Sequence, residues 1–401
     1  MRRILVTYAW CRTAYCVVES LARAGFEIYV CDASPLSMSR FSHYTQGFDR
    51  VASFLQEPER FIRDLIKVVE KRRINILLPI HEDSLVISRH KEHFPPDLLI
   101  VCPPYEQLRI AMDKNLIIDV AVSCGVSAPK KIAPANHTEA LKELGYLSYP
   151  IIIKSRRGNS GKGVFMAKTF DEAVHLYNKM IKLFMLSEEE LPIIQEYIEG
   201  DLFGTCFLAE RGKILACFVE KYLRWKESRF GTSVLREPYH WPLLEEYTQR
   251  MVKALDWTGI GHFDFVGNHS ASRAYLLEMN PRFWGAINLA IRNGYDFPLG
   301  LISMYLNGRP YARCFRPTKV KFKSLWVVGE MIAGLGEFRQ KKWLSPLSSL
   351  ARIFFPLEYL SYDDFRWSDP LPFLAEMIYY ASHYIKAGYQ INPIVIEMMR
   401  W

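Results

Sequence analysis

The sequence predicts an α/β (α+β) fold: an N-terminal parallel sheet, a larger unit of glycine-bearing strand pairs, and a helical C-terminal extension. Three observations carry this reading: a β-α-β opening, a change of texture near residue 111, and a shift in composition beyond Arg309-Pro310. At 401 residues the chain exceeds one typical domain of roughly 100–200 residues, so several packed units are expected.

Ile4-Leu5-Val6-Thr7 is a short buried-strand run, Thr13–Ala24 has helical spacing, Gly25 is a natural C-cap, and Phe26–Cys31 is a second strand. Helical Glu59–Arg72 and strands Ile74–Pro79 and Leu98–Cys102 continue the alternation, which places a parallel α/β domain over residues 1–110. Dinucleotide binding does not follow from this opening. The first turn, Tyr8–Thr13, has no glycine, and a pyrophosphate needs close backbone approach there. Residues 111–310 read as a second unit, divided into about 130–198 and 199–310. Residues 311–401 form a mostly helical extension in which 18 of 91 residues are Phe, Tyr or Trp.

Half the residues are apolar and 23% are charged, the profile of a chain that buries a large core. The net charge of +8 is dispersed: residues 1–110 carry 15 basic and 13 acidic groups, 111–310 carry 24 and 22, and 311–401 carry 12 and 8. That pattern argues against nucleic acid as a partner, since a phosphate-binding face clusters its Lys and Arg. The eight cysteines show no C-x-x-C spacing and read as buried thiols of a reducing cytoplasm. No secretory signal and no transmembrane helix are expected.

The strongest chemical signal is Leu276-Leu277-Glu278-Met279-Asn280-Pro281-Arg282. On a strand, Glu278 and Asn280 share one face, with Leu277 and Met279 on the other. Asp264, 14 residues earlier in His262-Phe263-Asp264-Phe265-Val266, joins that face if Gly267-Asn268-His269-Ser270 closes a hairpin. Three hard oxygen ligands suit Mg²⁺. The second signal is an apolar strand ending in Lys154, followed by a turn with Gly158, Gly161 and Gly163. Its backbone N–H groups can converge on an anion, with Lys154, Lys162 and Arg156 or Arg157 supplying charge. The Walker spacing is absent. Lys221–Glu237 is rich in arginine, and Arg224 and Arg236 can each pair bidentately with a carboxylate. Asn288 follows Trp284-Gly285 and is a further candidate for the same cavity, while His240 and His262 read as structural or surface residues.

These residues, taken in order, resemble the ATP-grasp superfamily, in texture its carboxylate-amine ligase-like members. The resemblance implies phosphate contacts from Lys114 and Lys154, and adenine contacts from the strand Gln195-Glu196-Tyr197-Ile198. It implies a ribose contact near Asp201, although the usual acidic position falls on Leu202. It further implies two Mg²⁺ (or Mn²⁺) held by Asp264, Glu278 and Asn280, and an anion-stabilising Arg282. Asp264 stands where Glu is commoner in the family. The implied activity is ATP-dependent activation of a carboxylate as an acyl phosphate and its ligation to an amine, with small-molecule carboxylate and amine as substrates. Carboxylation or phosphorylation of an acceptor, and nucleotide-binding regulation without turnover, are the alternatives. The tail, with Asp363-Asp364 and Asp369-Pro370-Leu371-Pro372, resembles extensions of the same group. Packing against the core is expected of it, with a homodimer contact or a peripheral membrane contact through Ile353-Phe354-Phe355 as the other options.

Overall fold

The computed structural model describes residues 2–158, 161, 163–226, 229–339, 344–355 and 359–386. The chain opens with β1 (Arg3–Val6), α1 (Arg12–Arg23), β2 (Glu27–Asp32), β3 (Thr45–Arg50), α2 (Pro58–Arg72), β4 (Ile76–Leu78), α3 (Asp83–Arg89) and β5 (Leu99–Ile100). The strands form a parallel sheet in the order β3-β2-β1-β4-β5. Ile4 and Val6 pack into one core and Leu5 into another, as expected of a strand covered on both faces. The edge strand β3 was not anticipated, because Thr-Gln-Gly-Phe-Asp-Arg is neither an apolar run nor an apolar alternation. In the glycine-free turn after β1, Tyr8 itself takes the left-handed conformation (φ 54°) and its ring stacks on His81 at 4.4 Å.

Two helices, α4 (Tyr105–Met112) and α5 (Lys114–Ser123), lead into the central unit. Asp113 caps α5 by accepting from the backbone of Asn115 (2.8 Å) and Leu116 (3.2 Å). A small antiparallel sheet follows, built from β6 (Lys131–Ile132), β7 (Ile151–Lys154), β8 (Val164–Ala167) and β9 (Ile193–Glu196) in the order β6-β9-β7-β8. Helices α6 (His137–Leu144) and α7 (Phe170–Phe184) cover it, and Tyr177, Met180 and Phe184 meet Ile151 and Ile153 in its core.

The larger sheet contains β10 (Asp201–Glu210), β11 (Lys213–Trp225), β12 (Ser233–Tyr239), β13 (Gly259–Asn268) and β14 (Arg273–Asn280), with α8 (Pro242–Ala254) inserted before β13. One face packs on α4, α5 and α8 through Phe207, Phe263 and Phe265. The other face packs through Cys206 and Leu208 on α1, α9 (Ile287–Arg292) and α10 (Phe297–Asn307). That second core also holds Ile4 and Val6, so the N-terminal sheet is locked to the large one.

The extension is largely helical, with α11 (Val327–Arg339), α12 (Ser345–Phe354) and α13 (Leu371–Lys386), but it also contributes strands. β15 (Lys323–Leu325) pairs antiparallel with β12, and β16 (Leu360–Tyr362) pairs parallel with β15, completing the order β14-β13-β10-β11-β12-β15-β16. The tail then reaches the N-terminal domain. Asp369 accepts from Ser42 Oγ (2.5 Å), and the part-buried Arg366 donates to Glu19 (2.9 Å). Ile353 is buried, whereas Phe354 and Phe355 are 66% and 79% exposed.

Candidate active site

The hairpin of β13 and β14 sets the centre of the site. Asp264 lies opposite Glu278 and His262 opposite Asn280, so all four share a face. Asn280 Nδ2 donates to Asp264 Oδ2 (2.8 Å), and the Tyr222 hydroxyl donates to Asp264 Oδ1. Burial and the neighbouring Glu278 charge push Asp264 upward. Burial alone would do the same to Glu278, but Lys114 and Lys154 outweigh it and hold that carboxylate low. The expectation that Leu277 shares a face with Met279 is corrected. A bulge leaves Leu277 between the register pairs Asp264–Glu278 and Phe265–Leu276, so Leu276 and Met279 enter the core while Leu277 lines the cavity beside Glu278.

Positive charge arrives from two other elements. Lys114, at the start of α5, places Nζ 3.3 Å from Glu278 Oε2 and donates to the Gly158 carbonyl (2.7 Å). Lys154 ends β7 in the main cavity, whereas Lys114 and Gly158 line a smaller one; burial, reinforced by Lys114 and opposed by Glu278, lowers the Lys154 amine to about 8. In the glycine turn, Gly158, Gly161 and Gly163 all have positive φ. A Cβ on Gly161 would lie 1.8 Å from the Phe230 carbonyl oxygen, so only glycine lets this loop meet the 229–232 loop. Lys162 lies outside the described residues. Arg156 is committed elsewhere, donating to Asp113 (2.8 Å), while Arg157 lines a smaller cavity of about 250 Å³ behind Glu278 and Asn280.

The main cavity, about 510 Å³, runs between the two central sheets toward the N-terminal domain. At one end Gln195, Glu196, Tyr197 and Ile198 line it with Ile152 and Leu202. Gln195 Nε2 there is buried and has no protein partner among the described residues. Lys154, Asp264, Glu278, Asn280 and Arg282 occupy the middle. Arg282 is oriented by Glu82 (3.2 Å), the Phe283 carbonyl (2.9 Å) and Asn280 Oδ1 (3.1 Å).

Three expected site residues lie elsewhere. Asp201 pairs with Lys221 (2.6 Å) at the exposed start of β10 and does not line the cavity; Leu202 does. Arg224 is taken by Glu330 (2.8 Å) and Glu337 (2.9 Å), clamping α11 to the sheet. Asn288 is buried, donating to Ser361 (3.2 Å) and the Tyr362 carbonyl (3.0 Å) and accepting from Arg366 (2.8 Å), and so holds the tail. Arg236 does reach the cavity, but its guanidinium is paired with the buried Glu220 and lies over the Tyr222 ring at 4.2 Å.

His262, expected to be a structural or surface residue, is buried and lines the cavity, 3.1 Å from the Tyr222 hydroxyl and 3.4 Å from Glu220. Gly204, on the neighbouring strand, makes this possible: a Cβ there would fall 2.4 Å from His262 Nε2 and 2.8 Å from the Tyr222 oxygen. Cys206, Glu220 and His262 cluster closely enough to suggest a metal, but Arg236 already supplies the positive charge that Glu220 needs. Arg12, Trp326 and Tyr380 also line the cavity, from opposite ends of the chain. No local spacing in the sequence marks them.

The family model described as an ATP-grasp domain matches residues 111–286. Among curated relatives, the phosphoribosylamine–glycine ligase of Fusobacterium nucleatum is 24% identical over 237 residues, covering 55% of each chain. The chain spans about half the length of the first curated relatives it matches, 55% and 56% for two of them. Among solved structures, the biotin carboxylase complex with β,γ-ATP from Campylobacter jejuni gives a TM-score of 0.66 at 16% identity, over 80% of this chain and 74% of that one. The biotin carboxylase domain of the Hydrogenobacter thermophilus 2-oxoglutarate carboxylase, in complex with MgADP and bicarbonate, gives 0.64 at 15% identity, over 80% and 73%. These structural likenesses establish the fold.

Proposed function

We propose, from the match of residues 111–286 to an ATP-grasp domain, that the chain is an ATP- and Mg²⁺-dependent ligase that activates a carboxylate as an acyl phosphate and joins it to an amine. The observation that carries the reading is the face shared by Asp264, Glu278 and Asn280, flanked by Lys114, Lys154 and Arg282 and open to a cavity of about 510 Å³. The donor set fits Mg²⁺: two carboxylates and an amide oxygen are hard ligands, and the remaining positions suit phosphate oxygens and water. The orphaned Gln195 Nε2 and the adjacent strand end fit an adenine base, which offers ring-nitrogen acceptors and an amino donor.

In this reading Gln195 to Ile198 hold the base, and Lys114 and Lys154 hold the phosphates. Gly158, Gly161 and Gly163 let the loop close over them. When bound, Mg²⁺ would neutralise the triphosphate and polarise the γ-phosphoryl group. Arg282, fixed by Glu82 and Asn280, stabilises the negative charge that builds on the transferred group. A carboxylate oxygen attacks the γ-phosphorus and ADP leaves; the amine nitrogen then attacks the acyl carbon, phosphate leaves and the nitrogen loses a proton. The closed loop keeps water from the acyl phosphate. The residues act by positioning and charge, so no Ser–His pair is required.

The test is ADP release from Mg²⁺-ATP with a library of carboxylates, with hydroxylamine as the trapping nucleophile. The reading predicts ADP together with a hydroxamate. ADP formed only with acceptors lacking a carboxylate would overturn it in favour of acceptor phosphorylation.

A further inference from the structure

Beside the cluster of Asp264, Glu278 and Arg282, part of the cavity is a chamber of different chemistry. Its walls are aromatic and come from separate parts of the chain: Trp10 after β1, Trp284 after β14, Trp326 before α11 and Tyr380 on α13. Trp10 is held by stacking on Tyr379 at 4.8 Å, and Trp284 lies parallel to His262 at 5.9 Å. The Trp284 indole nitrogen is buried without a hydrogen-bond partner among the described residues. Two of the four walls, Trp326 and Tyr380, belong to the C-terminal extension.

Arg12 forms the polar feature of this chamber. Its Nε donates to the Gly285 carbonyl (3.0 Å) and approaches Asp363 at 3.9 Å, and its guanidinium plane lies 3.9 Å over the Trp326 ring. Neither Nη group carries a protein hydrogen bond among the described residues, although the residue is only 8% exposed and lines the cavity. Gly285 permits this placement, because a Cβ there would lie 2.6 Å from Nη2. Asp363, Asp364 and Glu376 balance the Arg12 charge, but each takes its hydrogen bonds from other groups. Asp363 accepts from Ser324, Asp364 accepts from the backbone of Val327 (3.0 Å) and Val328 (2.9 Å), and Glu376 accepts from Trp326 Nε1 (3.1 Å). Apart from Asp264 and Glu278, no Asp or Glu lines this end of the cavity among the described residues, whereas Arg12, Lys226, Arg229 and Arg236 do.

Resting on the ligase reading above, we infer that this chamber binds the amine substrate and that the substrate carries its own carboxylate and a flat apolar side chain; its chemical class is an aromatic amino acid. Two free N–H groups on one buried guanidinium match the two oxygens of a carboxylate, and a pre-ordered planar fork loses little entropy on binding. Aromatic walls favour a flat ring over a small aliphatic side chain. The extension therefore acts as a specificity element: it builds half of the aromatic box and supplies the ring beneath the Arg12 guanidinium.

The test is calorimetric titration of the full chain, with and without MgADP, using L-phenylalanine, L-phenylalaninamide and L-alanine as probes. L-phenylalanine is expected to bind at least about tenfold more tightly than either analogue, a difference of about 1.4 kcal/mol. Arg12→Lys, which keeps the charge beside Asp363, should weaken L-phenylalanine about tenfold while leaving L-phenylalaninamide and MgADP unchanged. Trp326 sits in the core, so Tyr380→Ala tests the aromatic wall. It should reduce the preference for L-phenylalanine over L-alanine. Equal affinity for acid and amide, no amino-acid binding, or a preference untouched by Arg12→Lys overturns this inference even where MgADP binds. Failure of MgADP to bind overturns the ligase reading instead, and the nucleotide-free titrations still decide the chamber.

Discussion

Glu278 is the residue on which most of the site's charges converge, since it lies 3.3 Å from Lys114 and faces Asp264 across the hairpin. Glu278→Gln keeps the shape and one oxygen but removes the charge. Turnover should fall by at least about 10²-fold, with the melting temperature little changed, as read by ADP release and thermal unfolding. Unchanged turnover would remove Glu278 from the proposed metal site. Asp32 and Asp83 illustrate a different electrostatic effect. Both are buried beneath the N-terminal turn, and desolvation raises them from 3.8 to about 7 and about 6. The folded chain then holds protons that the unfolded chain has released, so these groups favour folding fully below about pH 4 and lose that contribution as pH rises toward 7. Asp32→Asn should show a smaller fall in melting temperature between pH 5 and pH 8 than the parent; an equal or larger fall contradicts this. The legibility of the residues follows the same physics. Asp264, Glu278 and Asn280 could be read because strand alternation fixes which side chains share a face. Leu277 was misread because a one-residue bulge reverses that alternation, and the place of His262 in the cavity was not legible because its partners Glu220 and Tyr222 lie about 40 residues away on another strand.

At the scale of elements, the glycine turn after β7 was legible in the sequence, but its neighbour was not. Gly161 has φ 72° and abuts Phe230 of the following loop. Gly161→Ala should hold the two loops apart and lower turnover by up to about a hundredfold, through misplacement of the lid. Stability should scarcely change, because this contact joins two loops at the cavity mouth. A parental rate would show that the Gly161–Phe230 approach is dispensable. Strands β13, β14, β7 and β9 were anticipated because each carries an apolar alternation or run ending in polar residues. β15 and β16 were not, since three-residue strands have too short a pattern to distinguish from a loop. Their pairing depends on β12, which is far away in sequence.

Across the whole molecule, the extension ties together parts that the sequence presents as separate. Arg366 reaches Glu19 of α1 and Asn288 of α9, and Asp369 reaches Ser42. Arg366→Ala would leave Glu19 with Arg23 alone and remove the donor to Asn288, and should cost about 1.5–3 kcal/mol in chemical unfolding. A loss under 1 kcal/mol, the range of an exposed ion pair, would show that the tail is not held this way. Composition marked the tail as unusual, yet its work as a strap and as a wall of the cavity depends on contacts spanning 347 residues, as from Arg366 to Glu19, and more, as from Tyr379 to Trp10, which no local pattern encodes. The proposed acyl phosphate makes one demand on atoms that no other reading shares. With a carboxylate substrate labelled with ¹⁸O in both oxygens, the account predicts that one labelled oxygen appears in each released phosphate, alongside ADP, as read by mass spectrometry. Phosphate carrying no label, with ADP still formed, would contradict carboxylate activation and leave the site to a different transfer.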